Sequence, residues 1–187
     1  MENKNLELMN IKDITDYIIE TFHVPLRKDL LDVTFLLNKL EIKYDDEDQS
    51  ILFLIEFFSK FKLELFKHVN LEEEIMFPEA VICEELLNSK LKLSQKRIDI
   101  IEDLVSDKMI NDHTEFNLFL KAILDELKIS HLNGKNNVEF EKIKVLFNKI
   151  YDDMQLHTEV ENNYLYNKWI QLRKELIEKF ELKDIKK

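Results

Sequence analysis

The stretch HVNLEEEIMFPEA, residues 68–80, sets a histidine and a glutamate four positions apart on a run otherwise suited to a protein interior. On a helix, side chains four apart lie nearly above one another, about 40° round the axis. An ordinary bundle helix would place leucine at such positions. The pair recurs in HTEVENNYL, residues 157–165, as His157 and Glu161. Two further histidines, His23 and His113, complete a series that runs from 23 to 157 in steps of 45, 45 and 44 residues.

Each of these four histidines falls on a long segment with apolar residues at helical spacing. The first spans about 14–40, with Ile18, Ile19, Leu26, Leu30, Val33, Leu36, Leu37 and Leu40 available for a core, and KYDDEDQS ends it. The second spans about 49–77, where Pro78 marks an end or a kink. After LLNSKLKLSQ, the third spans about 96–128, and SHLNGKNN follows with its Asn133-Gly134 turn signal. The fourth runs from about 138 past Trp169 to about 180. Pro25 either kinks the first helix near His23 or marks the first turn of a helix that starts later.

The midpoint between consecutive histidines falls inside each of the three interruptions. Antiparallel helices would therefore carry all four histidines to one height. The expected fold is all-α, an up-down-up-down four-helix bundle. It forms a single domain over 1–187, with its core at about 11–168 and an extension of the last helix to about 180. The offsets His23 to His113 and Glu72 to Glu161, 90 and 89 residues, indicate an internal duplication.

Composition agrees. One glycine and two prolines are too few for hairpins and sandwiches. A net charge of −11 argues against a nucleic-acid or anionic-membrane surface. The single cysteine, Cys83, excludes an intramolecular disulfide and a CxxC metal knuckle, and is read as a packing residue. No apolar signal core opens the chain, and Glu56 breaks its most apolar run, ILFLIEFF, so a cytoplasmic location is expected.

Four imidazoles and two carboxylates exceed the needs of one tetrahedral zinc. Calcium and magnesium prefer oxygen shells. A mixed set of His23, His68, Glu72, His113, His157 and Glu161 in a bundle core suits a non-haem dinuclear iron or manganese site, with bridging carboxylates. Two histidines per metal, two bridging glutamates and a bridging oxygen atom would leave one position per metal nearly open. A lone histidine on a helix is usually structural; it is the repeated spacing that carries the reading. His131, about 27 Å from His113 along a helix, is expected to be solvated. Glu73 and Glu74 are read as a solvated face, although carboxylates behind ligating imidazoles often orient them. The row Phe53, Phe57, Phe58, Phe61 and Phe66 is read as core.

The motifs FHVPLR, HVNLEEEIMFP, NDHTEF and HTEVENNYLY resemble those of hemerythrin-like di-iron proteins, and within them the repair-of-iron-centres family, over about residues 11–168. Many such proteins carry a small cysteine-containing domain ahead of the bundle, which this chain is expected to lack. The family tends to have Phe-Pro after the second Glu-Asn-Asn; this sequence reads YLYNKW and extends its last helix further. The resemblance implies two non-haem irons per chain in an oxo- or hydroxo-bridged centre. It also implies a role in restoring iron-sulfur clusters after nitrosative or oxidative damage by supplying iron, with iron-sulfur proteins as recipients. Two other readings stand beside it: binding or sensing of oxygen or nitric oxide, and reduction of nitric oxide or peroxide. Classical oxygen carriers use five histidines, and ferritin-like oxidases use ExxH pairs with more carboxylates.

Overall fold

A computed structural model describes residues 6–44, 49–88, 107–130 and 137–179, and every regular element among them is helical. Asn10 caps the first rod, its side chain accepting from the Asp13 N–H at 2.8 Å, a typical N-cap contact. That rod consists of α1 (Ile11–Ile18), a π-helical turn (Ile19–His23) and α2 (Val24–Tyr44). The second consists of α3 (Gln49–Leu71), a π turn (Glu72–Met76) and α4 (Phe77–Asn88). The third is α5 (Asp107–Ile129). Asn137 caps the fourth, which runs through α6 (Val138–Val160), a π turn (Glu161–Tyr166) and α7 (Asn167–Lys179).

Consecutive rods pack side by side, α2 on α3, α3 on α5 and α5 on α6, and α6 closes the ring against α2. This is the expected four-helix bundle. The two prolines behave alike. Each removes an N–H and presses its ring on the carbonyl four residues back. Those carbonyls belong to Thr21 and Glu74, and both lie inside a π turn, where the backbone is already widened. Neither helix stops. The first rod continues through Pro25, and the second runs on to Asn88, past the end or kink that Pro78 suggested.

The interior is divided in two. A lower core fills the four-rod section with residues such as Leu30, Leu37, Phe58, Phe61, Leu120, Phe147 and Ile150. An upper core lies among α1, α4 and α7, built on Ile14, Ile18, Met76, Cys83, Leu165 and Trp169. Cys83 packs there as expected. Phe53 departs from expectation, being 54% exposed. The inward row of α3 is Ile51, Leu54, Phe58, Phe61 and Leu65, and Phe53 sits about 100° round from Leu54. Its ring instead stacks on Phe57 at the surface, with centroids 5.7 Å apart.

Among the described residues, no helix is long and apolar enough to cross a membrane. His131, the first turns expected for the third helix, and residue 180 onward lie outside them.

Candidate metal centre

Between the two cores lies a polar layer. His23, His68, Glu72, His113, His157 and Glu161 all meet there, none more than 3% exposed. The rods supply them at one height, as the spacing required. All six predicted site residues come together.

They form two pairs of imidazoles. His23 and His157 face each other through Nε2 atoms 3.0 Å apart, and His68 and His113 do so at 2.9 Å. Each carboxylate spans both pairs. Glu72 sets Oε1 at 3.1 Å from His68 Nε2 and Oε2 at 3.5 Å from His23 Nε2. Glu161 sets Oε1 at 3.0 Å from His157 Nε2 and Oε2 at 3.0 Å from His113 Nε2. Ligand atoms of His23, Glu72, His157 and Glu161 lie within 4.8 Å of one another, as do those of His68, Glu72 and His113.

The contacts are close, yet several are not hydrogen bonds. Glu72 Oε2 and both Glu161 oxygens are buried and have no hydrogen-bond partner. A buried carboxylate left in that state is costly. A cation between the facing groups would satisfy it. The distances also discriminate between geometries. With bonds of about 2.1 Å, ligands at octahedral right angles stand about 3.0 Å apart, whereas tetrahedral ligands stand about 3.4 Å apart. Both imidazole pairs match the octahedral edge, which is also the length of an ordinary hydrogen bond between two nitrogens. The residues present fit a bound metal ion.

Charge is tuned to match. Burial, then the neighbouring His157, pulls His23 below its ordinary value. Burial opposes protonation of His157 and His68 too, but nearby carboxylates outweigh it and raise both, Glu161 foremost for His157 and Glu72 for His68. Burial would push the Glu161 carboxyl up, but His157 and His113 hold it well below the usual range. The layer is built to keep this anion.

A second ring of groups orients the first. His23 Nδ1 pairs with Glu73 Oε1 at 2.8 Å, and Arg27 clamps that carboxylate from the other side with bonds of 2.7 and 3.0 Å. His68 Nδ1 lies 3.3 Å from Asp112 Oδ2. A donating Nδ1–H leaves Nε2 bare for a metal. Glu73 thus corrects the reading of a solvated face, which holds only for exposed Glu74. Phe77 stacks over His23 with centroids 5.7 Å apart. Tyr166, not foreseen as a site residue, donates its hydroxyl to Glu72 Oε1 at 3.2 Å. Burial, with the Glu161 and Glu72 charges, pushes that phenol well above its ordinary value. The signal was present in the sequence, since Tyr166 occupies the place of Phe77 in the duplicated half.

A cavity of about 210 Å³, lined by Phe61, Lys67, His68, Asp112 and Phe116 among others, reaches the layer from the α3–α5 side. The larger cleft of about 750 Å³ near Phe35 and Val145 touches none of the six residues.

The family model of the hemerythrin HHE cation-binding domain matches residues 16–169. The chain belongs to this family. All six residues of the polar layer fall within the matched span, and the hemerythrin-like bundle is a metal-binding one, with this His/Glu cluster as the group that could hold the metal.

Proposed function

We propose that this hemerythrin-like protein holds two non-haem irons in the polar layer and donates iron to restore damaged iron-sulfur clusters, in the cytoplasm, with iron-sulfur proteins as recipients. One observation carries the two-metal part: Glu72 and Glu161 each direct one oxygen to the His23/His157 pair and the other to the His68/His113 pair. His23, His157, Glu72 and Glu161 would hold one ion, and His68, His113, Glu72 and Glu161 the other. Bound iron supplies Lewis-acid and one-electron redox chemistry. The chain itself supplies bare Nε2 atoms, two anionic oxygens per position and apolar walls that exclude bulk water.

Donation follows from the donor set, which is imidazole and carboxylate without thiolate. Nitrogen and oxygen ligands hold ferrous iron less firmly than thiolates hold a cluster iron. The cavity beside His68 also favours a second reading, capture of a small ligand such as oxygen or nitric oxide.

The test has two stages. Anaerobic reconstitution should load two irons per chain, with a near-ultraviolet charge-transfer band on oxidation. A single zinc and no iron would sink the two-iron reading. The reduced protein should then reactivate an iron-depleted cluster enzyme within minutes, faster than an equal amount of free ferrous iron. Glu72→Ala with Glu161→Ala serves as the control. Transfer no better than free iron, with clean reversible oxygen binding, would favour the second reading.

A further inference from the structure

Tyr166 stands 89 residues after Phe77, the same offset that separates Glu72 from Glu161. Phe77 follows the π turn that begins at Glu72, and Tyr166 ends the π turn that begins at Glu161. The two positions are copies, but only one carries a hydroxyl. A buried hydroxyl needs a partner. Tyr166 is 5% exposed, and its O–H donates across the bundle to Glu72 Oε1.

That oxygen has a particular place. It is the Glu72 oxygen facing His68 and His113, at 3.1 and 3.8 Å. The other, Oε2, turns to His23 and has no hydrogen-bond partner. Neither Glu161 oxygen has a hydrogen-bond partner, although each lies 3.0 Å from a histidine Nε2, and Phe77 has no hydroxyl to offer. The duplication would give two equivalent metal positions, and the Tyr166 hydroxyl is one point at which it is broken.

We propose that Tyr166 is a positioning residue that fixes the Glu72 oxygen on the His68/His113 side and weakens its donation, so that the two metal positions are inequivalent. The inference rests on the two-iron reading above. The physical argument is short. A hydrogen bond to a ligating carboxylate orients it and draws electron density from the ligating oxygen. Ferric iron needs that density more than ferrous iron does. The position beside His68 and His113 therefore favours the ferrous state, and the cavity that His68 lines lies on that side.

The experiment compares three iron-loaded proteins by redox titration and metal analysis: wild type, Tyr166→Phe, and the protein with 3-fluorotyrosine placed at position 166. The Phe variant keeps the ring and loses the donor. Its higher one-electron potential should fall by about 59 mV, a tenfold change in the ferric/ferrous ratio. Fluorotyrosine is a more acidic phenol and a stronger donor, so its potential should rise. Loss of packing cannot produce opposite shifts from one position. The fluorotyrosine arm also stands if the Phe variant fails to fold. Two irons in all three proteins with unchanged potentials would overturn the role of Tyr166 and leave the two-iron reading intact. Wild type that takes up no iron would overturn both.

Discussion

Glu73 and Glu74 are neighbours of identical chemistry with different surroundings. Glu73 is gripped by Arg27 and reaches His23 Nδ1, while Glu74 is exposed. Burial alone would raise the Glu73 carboxyl, but Arg27, then His23, brings it below its ordinary value. It stays anionic and holds the imidazole in one tautomer. Glu73→Gln should lower metal affinity by about 10–100-fold, the usual cost of losing such an orienting group. Glu74→Gln should leave affinity unchanged. Chelator competition measures both, and equal affinities for the two variants would remove Glu73 from the account. The sequence could not separate these residues. A run of three glutamates announces charge, but which one turns inward depends on the local winding of the helix and on an arginine 46 positions away. The six ligand candidates were legible for the opposite reason: a buried histidine layer must recur at bundle spacing, and it does.

At the scale of elements, among the described residues, a π turn lies at His23, at Glu72 and at Glu161. A π turn is one extra residue in a helix, often found at functional sites. Two of these precede a proline. The third does not, because Asn167 stands where the duplication would place Pro78. Proline is therefore not the cause. Apolar periodicity tolerates a slip of one residue, so these turns were invisible in the sequence, and Pro78 read as an end although α4 continues. The turn at Glu161 aims Tyr166 at Glu72 and Trp169 into the upper core. Deleting exposed Asn163 should restore α-helical winding, and because the turn already absorbs one extra residue the helix beyond it should keep its register. Trp169, the chain's single tryptophan and fully buried, should then stay shielded, with unchanged emission. His157 and Glu161 precede the deletion and keep their places. A red-shifted emission would mean that the turn does not absorb an extra residue.

Across the whole molecule, the polar layer separates two apolar cores. The lower one was legible, since its leucines and phenylalanines follow the four-rod periodicity. The upper one was legible only in part, through Ile18 and Cys83, because the rest depends on α4 continuing past Pro78. The layer itself contributes little cohesion without metal. Three of its four carboxylate oxygens, Glu72 Oε2 and both of Glu161, lack hydrogen-bond partners. Metal would change this by tying four rods to two shared carboxylates. Binding to the folded state alone adds about 2.7 kcal/mol at a ligand concentration a hundred times Kd. That gain should not be spread evenly, because the upper core rests on three helical segments and can open locally while the lower core stays packed. Hydrogen exchange with and without ferrous iron tests this. Amides of α1, α4 and α7 should slow most on loading, and those in the middle of α6, beside Phe147, should slow least. A Glu72→Gln, Glu161→Gln double variant should show no difference between the two conditions. Phe147→Ala should behave differently again, costing about 3–5 kcal/mol through a cavity in the lower core and destabilising both forms alike. If iron slowed exchange uniformly along all four rods, the two cores would be one cooperative unit, and the layer between them would be a metal site without a role in coupling the halves.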